Sequence, residues 1–295
     1  MDERYDEVGY WTEIKLSILQ EYAKAYSKIM SKQGAIMHYA YIDAFAGRGT
    51  LKSKVTGEEI NGSPLTALKI QPGFTHYHLI ELNPERADQL RKLTKGRSDV
   101  TIYESNCNSV LINEVFPQCR YEDYKRALCL LDPYGLSPKW EVVETGGRMK
   151  SIEIFLNFMI MDANRNVLWS YPEAVPSSQI ERMNEFWGDN SWRGIAYKSR
   201  PGLFGDMLEK ATNQDIIRAY QDRLKEVAGF KYVPDPIPMR NSRGVTIYYL
   251  FFASHNETGA KIARAIFKKY KDFGSVLSSY KLNKSNCLRS SAIDS

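Results

Sequence analysis

Asp43 closes the apolar run HYAYIDAF (38–45) and is followed by Ala44, Phe45, Ala46, Gly47, Arg48 and Gly49. Glycines just past a strand let the backbone turn sharply and approach a ligand at the strand's carboxyl end, where open α/β sheets bind their ligands. The stretch is not GxxxxGK[ST], which excludes a P-loop, and it lacks the third glycine of GxGxxG, which argues against a dinucleotide. A second acid, Glu81, ends the next apolar run in HLIELNPER. A carboxylate there can accept both ribose hydroxyls of an adenosine held at the glycine turn. The plainer alternatives are a simple turn at Gly47 and Gly49 and a solvated strand-end glutamate. A third run ends in SNCN, which brings Ser105, Asn106 and Cys107 to the edge where an adenine would lie; Asn106 equally suits a helix cap.

The elements that must position these residues alternate along the chain. β-rich runs at 38–45, 75–82, 99–104, 127–132 and 151–158 are separated by segments of helical composition, SPLTALKI, PERADQLRKL, NSVLINEV and PKWEVVE. Nearly continuous apolar strands alternating with helices predict a parallel sheet covered on both faces. An amphipathic helix over 12–32 precedes them, with Lys15, Lys24 and Lys28 among its polar positions. Residues 50–61 read as a loop. After Phe158 the alternation lapses for about seventy residues, carrying Trp169, Trp187 and Trp192, which suggests a helical insertion over 159–228. The runs 229–239 and 245–253, joined by Asn241-Ser242-Arg243-Gly244, read as an antiparallel hairpin. A basic helix over 257–270 follows, and 273–295 reads as a loosely held tail. The Rossmann-like domain thus comprises 1–158 and 229–272.

With 295 residues, 43% hydrophobic and 25% charged, the chain has globular composition, which excludes a disordered or collagen-like protein. The net charge of +5 permits a nucleic-acid partner without requiring one, and 261–295 concentrates eight Lys and Arg against two Asp. Cys107, Cys119, Cys129 and Cys287 are scattered, and His38, His76, His78 and His255 lack matching ligands, so neither a metal site nor a disulfide framework is expected. No apolar run suits a signal core or a membrane span, and a cytoplasmic protein is the expectation.

The motifs DAFAGRG, IELNP, SNCN and LLDPYG resemble, in order and spacing, those of class I S-adenosylmethionine (SAM) methyltransferases. Within that superfamily the chain resembles the bacterial three-Cys-motif partner proteins (TcmP). The likeness is carried by WTEIKLSILQEYAKAY, YIDAFAGRGT, NGSPLTALKI, HLIELNPER, LCLLDPYGLSPKWEVVE, EIFLNFMIMDANRN and YYLFFASHNETGAKIARAIF. The resemblance implies an α/β, Rossmann-like methyltransferase sheet, mostly parallel with a terminal antiparallel hairpin. It implies SAM as cofactor, held by Asp43, Ala44, Phe45, Ala46, Gly47, Gly49, Ser63, Glu81, Leu82, Asn106, Cys107 and Asp132. It also implies a partner, a radical-SAM-like protein bearing the three-Cys motif.

LLDPYG resembles the DPPY motif of amino-methyltransferases with one proline missing. Asp132 and the Pro133 carbonyl would then accept hydrogen bonds from a base amino group, and Tyr134 would stack on that base. Asp-Pro at a strand end is also a common turn. Asn157, Asp162, Asn164, Arg165 and Asn166 are either pocket-lining groups or caps, and Trp187 and Trp192 read as core of the insertion rather than a base-stacking groove. Three functions are open: a methyltransferase for DNA or RNA, foremost at an amino group such as adenine N6; a catalytically silent SAM-binding partner subunit; and a methyltransferase for a small molecule or protein.

Overall fold

The computed structural model describes residues 6–54, 56–202 and 205–271. The tail expected over 273–295, with Cys287, lies outside them. In chain order the elements are β1 (Asp6–Val8), α1 (Tyr10–Met30), β2 (His38–Asp43), β3 (Thr50–Ser53), β4 (Glu59–Asn61) and α2 (Ser63–Leu68). There follow β5 (His76–Glu81), α3 (Pro84–Leu93), β6 (Val100–Glu104), α4 (Cys107–Val110), β7 (Lys125–Leu131), α5 (Trp140–Met149) and β8 (Ile152–Phe158). The insertion carries α6 (Ile160–Asn166), α7 (Ser177–Trp187), α8 (Trp192–Ala196), β9 (Tyr197–Gly202), β10 (Gly205–Lys210) and α9 (Asn213–Glu226). Strands β11 (Ile237–Arg240) and β12 (Thr246–Ala253) and a helix over 257–271, α10, complete the described chain.

Seven strands form one sheet in the order β11-β12-β8-β7-β2-β5-β6. β6, β5, β2, β7 and β8 are parallel, β12 lies antiparallel beside β8, and β11 pairs antiparallel with β12 at the edge. This is the expected Rossmann-like α/β sheet, with the reversed strand inside the edge. The strands read as continuous apolar runs because both faces are buried. Along β2, Ala40 and Ile42 enter one hydrophobic layer while Tyr39 and Tyr41 enter the other; β7 divides Ala127, Cys129 and Leu131 from Leu128 and Leu130 in the same way. Residues of α4, α5 and the insertion fill the first layer, and those of α1, α2 and α10 fill the second.

Three expectations need correction. Residues 50–61 are not a loop throughout: β3 and β4 pair antiparallel, and β1 adds to β3 in parallel as a small separate sheet. The insertion is not wholly helical, since β9 and β10 form an antiparallel ribbon. The first hairpin strand begins at Ile237 rather than near 229, because Pro234 and Pro236 offer no N–H to a ladder. Trp187 and Trp192 are each 1% exposed. Phe186 stacks on Tyr220 at 5.2 Å, and Tyr220 meets Phe158 of β8 edge-on at 5.0 Å, so the insertion shares the core of the sheet.

Two close fits generate predictions. A Cβ on Gly147 of α5 would lie 1.9 Å from the Ala228 carbonyl oxygen, so the backbones approach only because this residue has no side chain. Gly147→Ala is expected to destabilise the fold by about 3 kcal/mol in denaturant titration, whereas Gly34→Ala, into open space, stays within about 0.5 kcal/mol. Glu153 of β8 is buried, and its carboxyl accepts hydrogen bonds from Tyr22 Oη at 2.5 Å and Ser254 Oγ at 2.9 Å. Burial outweighs both bonds and pushes its pKa from 4.5 up to about 7. The folded state therefore holds a proton that the unfolded chain releases. This contribution is full below pH 4.5 and is lost as pH rises towards 7, an effect on the order of 3 kcal/mol. Denaturation followed from pH 4 to 8 should show that slope in the wild type and a flatter one in Glu153→Gln.

Candidate functional site

The site lies at the carboxyl ends of β2, β5 and β7. Past Asp43 the backbone stays anchored to both neighbouring strands, since Ala44 N–H donates to the Leu130 carbonyl at 3.0 Å and Ala46 N–H to the Ile80 carbonyl at 2.9 Å. The turn then reverses at Gly47, with φ +63°, and Gly49, with φ +85°, a region that favours glycine. A Cβ on Gly47 would meet nothing within 4 Å, so open space faces the turn. Gly62, next to Ser63, packs its N–H on the Gly49 carbonyl at 2.7 Å.

Glu81 is nearly buried, and both its oxygens are engaged: Oε2 accepts from Gly47 N–H at 2.9 Å and Oε1 from Asn83 N–H at 2.8 Å. It thus ties the glycine turn to the start of α3. A carboxylate offers about four lone-pair positions, so each oxygen keeps one for a further donor. The next residue, Leu82, is 67% exposed. Asp43 is fully buried, and its carboxyl takes hydrogen bonds from Phe45 N–H at 3.3 Å, Tyr41 Oη at 3.4 Å and the Ser63 side chain. Burial, aided by the nearby Asp132 charge, raises its pKa from 3.8 to about 6. Asp43 therefore shapes the loop from beneath rather than facing solvent. Phe45 packs against the core layer on the α5 side.

Asn106 acts as the cap of α4, accepting from Asn108 N–H at 2.9 Å, so the plainer reading accounts for its side chain. Cys107 is 7% exposed, and burial pushes its thiol up to about 12, which leaves it neutral and unreactive. Both stand past the end of β6, at the far side of the turn.

Asp132 follows β7 and is held on both oxygens: Lys15 Nζ of α1 pairs with Oδ2, and Asn157 Nδ2 of β8 donates to Oδ1. Lys15 is itself 7% exposed and sits 5.9 Å from the centre of the Tyr248 ring. Two buried polar atoms around this carboxylate, Asn157 Oδ1 and Tyr248 Oη, have no hydrogen-bond partner. Unpaired buried polar atoms are costly, and a group of them beside a carboxylate is a mark of strain kept for function or of an ordered water. Tyr134 is 76% exposed, with the Arg86 guanidinium 5.9 Å from its ring centre.

The loop after Asp132 is fastened from the insertion. Asp162 of α6 accepts from Leu136 N–H at 3.3 Å, from Arg182 at 2.9 Å and from Asn166 at 2.7 Å. A Cβ at Gly135 would come within 3.1 Å of the Asp162 carboxylate, so a side chain there would press on this clasp. The polar cluster at the end of β8 and beyond is therefore divided: Asn157 bonds Asp132, Asp162 supports the loop that follows it, and Asn164 turns away to Asn213 and Lys210 at 2.9 Å each. Lys15 is the participant that the sequence reading missed, because a lysine on the polar side of an amphipathic helix reads as solvated. Among the described residues no His, Cys, Asp or Glu cluster is arranged to hold a metal ion, and no helix is long and apolar enough to cross a membrane.

No family model matches the chain, and no curated protein matches it. Solved structures do. Protein LPL1258 from Legionella pneumophila, of the family DUF519, aligns over 89% of this chain and 91% of its own length at 14% identity, with a TM-score of 0.53. The 23S rRNA methyltransferase ErmE aligns over 79% of this chain and 68% of its own at 10% identity and TM-score 0.33. The methyltransferase CalH, solved with S-adenosylhomocysteine (SAH), aligns over 79% and 56% at 13% identity and TM-score 0.37. At these identities the likeness is one of fold, and the chain carries the Rossmann-like sheet without a family assignment.

Proposed function

We propose that this protein is a SAM-dependent methyltransferase whose substrate is a base amino group in nucleic acid. The observation that carries the reading is the Asp132 cluster: a carboxylate oriented by Lys15 and Asn157, with two unpartnered polar atoms around it and an exposed Tyr134 two residues on. The residues at the neighbouring strand ends fit an adenosyl group. Gly47 leaves open space, Glu81 keeps lone pairs for ribose hydroxyls, and Leu82 offers an exposed apolar surface for the adenine face. SAM would supply an electrophilic methyl on a sulfonium: the N–C bond would form as the C–S bond breaks to the neutral thioether, and the amine's surplus proton would pass to solvent.

The chain's own part is positioning. An aromatic amine is a weak nucleophile because its lone pair is delocalised into the ring. Acceptors on its hydrogens favour the pyramidal form that attacks, and the free lone pairs of Asp132 with the Pro133 carbonyl are suited to that. Lys15 and Asn157 restrict the carboxylate to one orientation, which matters because sub-ångström placement governs such transfers. Tyr134 stacks on the base, and Arg86 beside it supplies a cation for the adjoining phosphate. Basic α10 is assigned a further phosphate contact: it packs on α1, its last turn reaching Glu21, bonded by Lys269 at 2.5 Å and Tyr270 at 2.7 Å, six residues along α1 from Lys15.

A second reading is favoured by one observation. Both Asp132 oxygens already have partners and one proline of DPPY is absent, as in a SAM-binding subunit that has lost its chemistry. Its partner would be the radical-SAM-like protein suggested by the TcmP resemblance, docked where the insertion exposes Trp169 and Tyr171.

Transfer of tritium from labelled SAM to DNA, RNA, protein and metabolite pools separates these readings: label in nucleic acid supports the first, and none in any pool supports the second. In calorimetry, Glu81→Ala is expected to weaken SAH binding at least tenfold, about 1.4 kcal/mol, through lost ribose hydrogen bonds and a released glycine turn. Asp132→Ala should reduce kcat about a hundredfold with SAH affinity nearly intact, and Tyr134→Ala should chiefly raise KM for the nucleic acid. Undiminished kcat in Asp132→Ala would remove this residue from the reaction. Nucleic-acid binding that does not weaken with salt would remove the phosphate contacts assigned to Arg86 and α10.

A further inference from the structure

At the opposite end of the sheet, beneath the amino ends of β7 and β8, lies a cavity of about 560 Å³. Nothing in the reading above uses it. Three cations line it: Arg126 of β7, Lys150 at the end of α5, and Lys231 before β11. The two acids on its wall are already engaged, Glu257 with Lys261 at 3.0 Å and Glu153 with Tyr22 and Ser254. Arg126 is held ready, its guanidinium 3.8 Å from the Tyr121 ring centre and its Nη1 donating to the Lys125 carbonyl at 2.7 Å. A guanidinium fixed before the ligand arrives loses little freedom on binding.

Tyr26 and Ser151 also line the wall, 3% and 2% exposed, with their hydroxyl oxygens covered. Met30, Ile36 and the Tyr121 ring give the same cavity an apolar side. Its volume falls within the range of organic-ligand sites and far exceeds the needs of an inorganic anion.

We propose that this cavity binds a nucleotide-sized phosphomonoester, its dianion held by Arg126, Lys150 and Lys231 and its organic body set against Met30, Ile36 and Tyr121. Charge selects phosphate: a phosphomonoester carries about −1.5 to −2 at neutral pH, whereas a single carboxylate would leave two of the three cations unopposed. The site is independent of the glycine turn, which lies at the other end of the strands.

The test is calorimetry on the full chain with AMP, UMP and FMN as probes, and with adenosine and inorganic phosphate as the two halves of the first. At least one monophosphate is expected to bind about tenfold or more tighter than either half. Lys150→Met combined with Lys231→Met, both exposed side chains, should weaken it at least tenfold, and Glu81→Ala should leave it unchanged. No binding by any of the three monophosphates overturns the proposal. So does binding lost in Glu81→Ala but kept in the double variant, which would assign the ligand to the adenosyl site. RNA affinity lost in the double variant, with no monophosphate bound, would likewise overturn it in favour of a polynucleotide surface.

Discussion

The contact on which the candidate site depends is the one between Lys15 and Asp132. It joins the first long helix to the end of the central strand pair and, through Asn157, to β8. The lysine side chain is 8% exposed and the aspartate 20%, so neither charge is well solvated. A pair in that position gains little net stability over an apolar pair, but removing one partner leaves a buried charge alone, which is strongly unfavourable. The pair, with Asn157, holds α1 against the end of the sheet and both oxygens of the carboxylate in place. The Asp162–Arg182 pair repeats the device from the other side, fixing the loop that Asp132 begins.

Much of this was legible in the sequence, for physical reasons that also explain the omissions. Strands β2, β5, β7 and β8 are buried on both faces, so their apolar runs stand out from the helices that separate them, and their ends give the positions of Asp43, Glu81 and Asp132. The antiparallel β12 was equally plain because an Asn-Ser-Arg-Gly turn precedes an apolar run. The small sheet was not. TLKS and EIN are short and half-polar, and β1 pairs with a strand some forty-five residues away, a pairing that no local pattern encodes. The ribbon β9–β10 was hidden similarly by the polar, proline-containing YKSRPG.

At the site, residue type and strand position located the acids but not what each acid bonds. Glu81 reads as a ligand-binding carboxylate and also acts as the clasp of the glycine turn; Asp43 reads as facing a ligand and lies fully buried beneath it. Lys15 illustrates the general difficulty. Helical spacing divides polar from apolar positions, and a lysine at the boundary is consistent with solvent or with a buried partner 117 residues on. Only the packing of α1 across the sheet distinguishes them.

The same helix and strand also connect the two ends of the molecule. α1 carries Lys15 at the end where the glycine turn lies and Tyr26 and Met30 on the wall of the lower cavity. β8 carries Asn157 at the upper end and Glu153, with Ser151 just before the strand, at the lower one. Tyr22, midway along α1, is bonded to Glu153 and packed edge-on against Phe155 at 5.1 Å, so the two elements are locked where they cross. Close-packed interiors transmit displacement rather than absorb it. One helix and one strand thus both wall the lower cavity and orient Asp132.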